Sequence, residues 1–269
     1  MQNSKKKAPV KTVTKPFLTG GIIDGTIPKT AALFFGSLIV LGILFLIVTG
    51  VMMLDNLALR LIINGAVVIA ALLLYYSSGV SQGAVAVNQG EIMYRRRENG
   101  NEVGGEELRR CYHPFKGWVA GLIGTAPIFV CALILALTAT RQMATLGALP
   151  SWVNSLASRE DVTDAVRYYT VSGSMSLESI LRILIRILLM PGVNMVGSEN
   201  PEGMLLLERL SPVLVLLPCL FYGFGYTRGV QVRTQVHTDI AANNRKRKKK
   251  ASKARARRTA GPKKVEQLN

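Results

Sequence analysis

Residues 31–54, AALFFGSLIVLGILFLIVTGVMML, form an apolar run without a single charged side chain. A helix rises about 1.5 Å per residue, so about 20 such residues cross the roughly 30 Å hydrocarbon core of a bilayer. This run is long enough, and it outlasts the roughly 7–15-residue apolar core of a cleavable export signal. It reads as a retained membrane anchor. The preceding residues 1–30 carry Lys5, Lys6, Lys7, Lys11, Lys15 and Lys29 and read as a basic cytoplasmic arm.

Three further segments meet the same criterion. Residues 57–78 follow the turn signal Asp55-Asn56 and hold one charge, Arg60, in the opening turn, where a long side chain can reach the interface. Residues 118–140 are uncharged, and residues 204–226 carry Glu208 and Arg209 near their start. The whole 269-residue chain is 49% hydrophobic, and its mean hydropathy of +0.29 is high for a water-soluble domain. The expected fold is therefore all-α: a polytopic integral membrane protein with a four-helix membrane domain over residues 31–226.

Residues 176–190 resist that reading. Glu178, Arg182 and Arg186 recur every four positions and line one helical face, while Leu181, Leu184, Ile185 and Leu188 cover much of the rest. An amphipathic helix lying in the external interface is expected. As a span it would hold an arginine near mid-bilayer, at a cost of about 2.5–3.5 kcal/mol on insertion scales, and Pro191-Gly192 would interrupt it.

The distribution of basic residues sets the topology. With four spans, the N-terminal arm (6 Lys), the loop 80–117 (6 Lys and Arg) and the segment from Thr227 onward (14 Lys and Arg) share one side. The other side keeps Arg60, Arg141, Arg159, Arg167, Arg182, Arg186 and Arg209. A multi-pass protein of the cell membrane with both termini cytoplasmic follows. Within the cytoplasmic loop, Asn99-Gly100 is a turn signal for a short hairpin. The external region, residues 141–203, is expected to rest short helices at headgroup level.

Residues 227–269 are expected to form a disordered polybasic tail. Its densest part, RKRKKKASKARARR, places Arg245, Lys246, Arg247, Lys248, Lys249, Lys250, Lys253, Arg255, Arg257 and Arg258 within fourteen residues. Such a cluster attracts the anionic headgroups of membrane lipids. Phosphates of ribosomal RNA are a second target. Specific nucleic-acid recognition is not expected, because no aromatic residue follows Tyr226 to stack on bases.

Small residues suggest how the helices meet. Gly79 and Gly83, Gly117 and Gly121, and Gly225 and Gly229 each make a GxxxG near the cytoplasmic end of a different span, a spacing that lets helix backbones approach closely. Pro127, Pro212 and Pro218 fall inside spans.

Chemistry-bearing residues are sparse. Cys111 and His113 supply two metal ligands where structural zinc takes four, so no metal and no cofactor are expected. With only His113 and His237, nucleophilic catalysis is poorly supplied. The preferred reading is a non-catalytic accessory protein or complex subunit, bound to another membrane protein or the ribosome, whose basic tail contacts anionic lipid. The alternative is a transport or channel component in which Asn64, Glu178, Arg182, Arg186, Glu208 and Arg209 border a membrane pathway. A membrane enzyme is the third.

In a Cys-free protein with single cysteines at Ser4, Ser158, Ser198 and Ser252, a membrane-impermeant maleimide applied to intact cells is expected to label only Ser158 and Ser198. Labelling at Ser252 would mean an odd number of crossings.

Overall fold

The computed structural model describes residues 12–50, 56–140, 177–197 and 200–259. Among them every regular element is a helix. In chain order these are α1 (Ile27–Gly50), α2 (Leu57–Glu98), α3 (Gly105–Arg109), α4 (Lys116–Thr138), α5 (Leu177–Leu188), α6 (Met190–Val196) and α7 (Pro201–Thr259). Four of them, α1, α2, α4 and α7, are long and apolar enough to cross a membrane.

The helix starts have local causes. Asp24 caps α1: its Oδ1 accepts from the backbone N–H of Thr26 at 3.0 Å and of Ile27 at 3.1 Å. Asn56 Oδ1 does the same for α2, accepting from Ala58 N–H at 2.9 Å. Between α5 and α6 the chain bends by 92° at Leu189, and Pro191 opens the shorter helix.

Two expectations need correction. The segment 80–117 is not a loop throughout, because α2 continues to Glu98. Asn99-Gly100 ends that helix, with Gly100 at φ +79°, and closes no hairpin. The segment from Thr227 onward is helical as far as Thr259, continuous with the fourth apolar helix, and is not disordered there. Residues 51–54, 141–176 and 260–269, which include parts of the expected first span, external region and tail, lie outside the described residues.

Packing centres on α7, which lies against both α2 and α4, while α1 closes onto α4. Helices α5 and α6 fill the opposite side, α5 against α1 and α4 and α6 against α2 and α1. Phe34, Leu38, Tyr75, Leu135, Ile185 and Tyr222 belong to the shared core. Outward, large apolar side chains stay uncovered: Leu137 is 80% exposed, Ile62 68% and Leu74 66%. An apolar exterior of this extent suits hydrocarbon and not water.

The tightest contact is between backbones. A Cβ at Gly79 would strike the Tyr222 carbonyl, one at Gly83 the Tyr226 carbonyl, and one at Gly225 the Tyr76 carbonyl. A Cβ at Gly229 would enter the backbone of Gly83 itself. On α4, Gly117 leaves room for the Tyr226 ring, 2.5 Å from its would-be Cβ, and Gly121 for Cys219 Sγ at 2.9 Å. The structure thus brings all six glycines to the seams of α7 with α2 and α4.

Gly79→Ala or Gly83→Ala is expected to cost about 1–3 kcal/mol or more, since a methyl group must displace a carbonyl. Gly36→Ala and Gly65→Ala, where nothing lies within 4 Å, are expected to gain up to about 1 kcal/mol from helix propensity. Thermal unfolding in detergent separates the two sets.

Candidate functional site

Three groups of charged side chains are held among the helices. The largest joins α5 to α7. Arg182, 4% exposed, sits opposite Glu208, 3% exposed. Arg182 Nε is 2.9 Å from Glu208 Oε1, but its N–H is not aimed at that oxygen, so the contact is an ion pair without a hydrogen bond. Arg182 Nη2 instead donates to Glu178 Oε1 at 2.8 Å and to the Thr140 carbonyl at 3.0 Å. Arg186 donates through Nε to Glu208 Oε1 at 2.9 Å and brings Nη2 to 2.6 Å from the same oxygen.

Two arginines thereby face two carboxylates, and the cluster is neutral as a set. That balance allows it to be buried. An isolated charge in a low-dielectric interior is far costlier than a paired and hydrogen-bonded one. Arg209, on the next position, points outward and is exposed. Asn64 is buried but bonds within its own helix, donating to the Arg60 carbonyl at 2.8 Å. The residues assigned to a pathway therefore divide. Glu178, Arg182, Arg186 and Glu208 come together, while Asn64 and Arg209 stay apart from them.

The second group, Asp24 and Lys116, escapes the sequence reading. Lys116 Nζ lies 2.6 Å from Asp24 Oδ2, with the two side chains only 10% and 1% exposed. Burial drives the Asp24 carboxyl upward, but the Lys116 ammonium and the Thr26 hydroxyl and N–H outweigh it and hold it below the usual carboxylate value. The same carboxylate caps α1, so one side chain starts α1 and pins the start of α4 beside it.

The third group locks α2 to α7 beyond the glycine seam. His237 Nε2 is 2.7 Å from Glu91 Oε1, and Arg233 reaches Glu91 Oε2 at 3.1 Å and Asn88 Oδ1 at 2.5 Å. Spacing carries the signal for it. Gly79, Gly83 and Val87 recur every four residues and lead to Glu91, while Tyr222, Tyr226, Val230 and Arg233 lead to His237.

Cys111 is fully buried, and its thiol lies 3.6 Å from the Glu107 carbonyl. Burial pushes the thiol up, away from the reactive thiolate form. His113 Nδ1 accepts from Phe115 N–H at 3.3 Å, within its own turn. Among the described residues no three His, Cys, Asp or Glu side chains lie close enough to hold a metal ion.

The basic stretch occupies the far end of α7. Side chains from Arg245 to Arg255 are exposed, including Lys246, Arg247, Lys248, Lys249, Lys250 and Lys253. Arg257 and Arg258 continue the helix. The chain matches no protein-family model, and no curated protein or solved structure is similar to it.

Replacing Glu208 by Leu leaves two arginines facing one carboxylate and is expected to cost roughly 3–5 kcal/mol. Arg209→Gln, at an exposed position, is expected to stay within about 0.5 kcal/mol. Unfolding of the detergent-solubilised protein checks both, and equal losses would deny the cluster its structural role.

Proposed function

We propose that this chain is a non-catalytic, multi-pass accessory protein of the cell membrane that presents a polybasic helix to a polyanionic partner in the cytoplasm. One observation carries the reading: α7 is a single 59-residue helix that begins among the apolar helices and ends in the basic stretch. The glycine seam and the Glu91–Arg233–His237 contacts fasten its middle to α2. The two helices make a stiff stalk, and the basic residues stand exposed at its tip.

Distance favours an aqueous partner over the protein's own lipids. Tyr226, at the end of the apolar part, and Arg245 are separated by about 28 Å of helix at about 1.5 Å per residue. The Debye length is only about 10 Å at 0.1 M salt. A straight α7 close to the bilayer normal therefore carries its basic residues out of electrostatic range of the headgroups, and contact with anionic lipid requires a bend. A phosphate-rich polymer such as ribosomal RNA meets the cluster without one. Like charges four residues apart, such as Arg245 and Lys249 or Lys246 and Lys250, repel by a few tenths of a kcal/mol per pair. A bound polyanion relieves that repulsion and firms the helix.

The remaining features fit this placement. Four crossings with both termini inside agree with the segregation of basic residues. The bent pair α5–α6 is then a re-entrant element that enters and leaves on the external side, its arginines satisfied by Glu178 and Glu208.

Protein in nanodiscs of zwitterionic lipid is expected to bind single-stranded homopolymeric RNA, with log K falling linearly as log salt rises. Replacing the ten basic residues from Arg245 to Arg258 by Gln is expected to weaken binding by at least about tenfold. Equal RNA binding by parent and variant, or salt-sensitive binding by the parent to anionic liposomes alone, overturns the proposal.

A further inference from the structure

Although α1 and α2 are consecutive, they stand apart along most of their length and meet chiefly through Tyr75. Its hydroxyl is 3.2 Å from Ser37 Oγ, and its ring centroid is 5.3 Å from that of Phe34. Three cavities follow the cleft between the two helices. The first, about 360 Å³, is lined by apolar side chains such as Leu38, Phe45, Val68, Leu72 and Met195. The second, about 350 Å³, shares Leu41, Ala71 and Tyr75 with the first and adds Ser37, Ser78 and Gln82. The third, about 240 Å³, shares Thr30, Gln82 and Tyr222 with the second and ends at Gln89, Arg110 and Lys116.

The cleft thus grades from wholly apolar, through hydroxyls and a carboxamide, to cationic. We propose that it is a lateral binding site for one anionic phospholipid of the cytoplasmic leaflet, with the phosphate at Arg110 and an acyl chain running along the α1–α2 cleft.

Charge complementarity selects this occupant. Of the two cations that line the third cavity, Lys116 is already closed into its pair with Asp24, which leaves Arg110 as the uncompensated charge. Among the described residues no carboxylate pairs with Arg110, and its side chain is exposed. A guanidinium there suits a phosphate, which it binds through charge-assisted hydrogen bonds. Gln82, Gln89 and Thr30 add neutral polar groups beside it, at the level where a lipid carries its glycerol esters.

Shape makes the same choice. A helix about 10 Å across needs roughly 1,200 Å³ for every 15 Å of its length, several times the volume of any of these cavities, and the Ser37–Tyr75 contact closes the cleft to it. An acyl chain is thin enough to pass. The second cavity alone follows α1 from Thr30 to Leu44, about 21 Å at about 1.5 Å per residue, which is more than the depth of one leaflet's hydrocarbon layer. The chain's end then reaches the first cavity.

The site is separate from the tip of α7, so its test uses protein whose ten basic residues from Arg245 to Arg258 are replaced by Gln. Native mass spectrometry compares retention of phosphatidylglycerol and phosphatidylcholine with identical acyl chains. One phosphatidylglycerol per chain is expected to stay bound, at least roughly tenfold more than phosphatidylcholine, because the choline ammonium already compensates the phosphate charge that Arg110 would pair with. Arg110→Gln is expected to reduce phosphatidylglycerol to the phosphatidylcholine level. Ser78→Trp, which crowds the second cavity, is expected to reduce both lipids. Both positions are exposed, and unchanged thermal unfolding shows that the fold survives. Equal retention of the two lipids by the parent, phosphatidylglycerol binding untouched by both substitutions, or lipid-free dimers that Ser78→Trp dissociates would each overturn the proposal.

Discussion

The rest of the structure depends on two helix backbones lying in contact. Helices long and apolar enough to cross a membrane, as α2 and α7 are, would find no hydrophobic force in hydrocarbon to push them together, because lipid tails are as apolar as leucine. Association has to come from close packing, and close packing of backbones is open only to residues without side chains. Gly79, Gly83, Gly225 and Gly229 provide it, each filling a position where a Cβ would strike a carbonyl or the facing chain. The contact fixes axial register as well as distance, since a slip by one residue would set a side chain against a carbonyl. Everything α7 carries beyond Tyr226 takes its direction from that register.

Charge is the second constraint, and it is handled in balanced sets. Glu178 and Glu208 face Arg182 and Arg186; Asp24 faces Lys116; Glu91 faces Arg233, with His237 alongside. Each set ties helices distant in sequence: α5 to α7, the start of α1 to α4, and α2 to α7. In a bundle whose apolar surface is no guide to which helices pair, such contacts discriminate among arrangements, because every wrong pairing strands a buried charge. Specificity is therefore carried by polar groups and adhesion by glycine.

What the sequence discloses follows from whether a signal is local. The four apolar helices are legible because twenty consecutive apolar residues need no partner to be recognised. The burial of Glu208 is not legible, because its partners lie on another helix 22 and 26 residues earlier, and a glutamate one turn into an apolar run looks the same whether it snorkels or pairs. Glu91 and His237 were hidden for the same reason. Arg95-Arg96-Arg97 followed by Asn99-Gly100 reads as a charged loop with a turn, yet α2 persists to Glu98 as the continuation of a helix already formed and joined to α7 at Glu91. The polybasic segment is the extreme case: composition alone predicts disorder, and the helix continues through it from a stem already formed.

That last difference alters what the basic residues can do. On a flexible chain they would sample the surface of the membrane from which they emerge, and lipid would be their nearest polyanion. On the end of a clamped helix they have one direction and a fixed reach, and the charge that would attract the proposed partner also strains the helix that carries it. Partner binding and helix completion are then linked, since any polyanion that neutralises Arg245 to Arg258 stabilises the conformation that presents them. The contacts of Glu91 with Arg233 and His237 are the last place among the described residues where α2 and α7 are joined by charge.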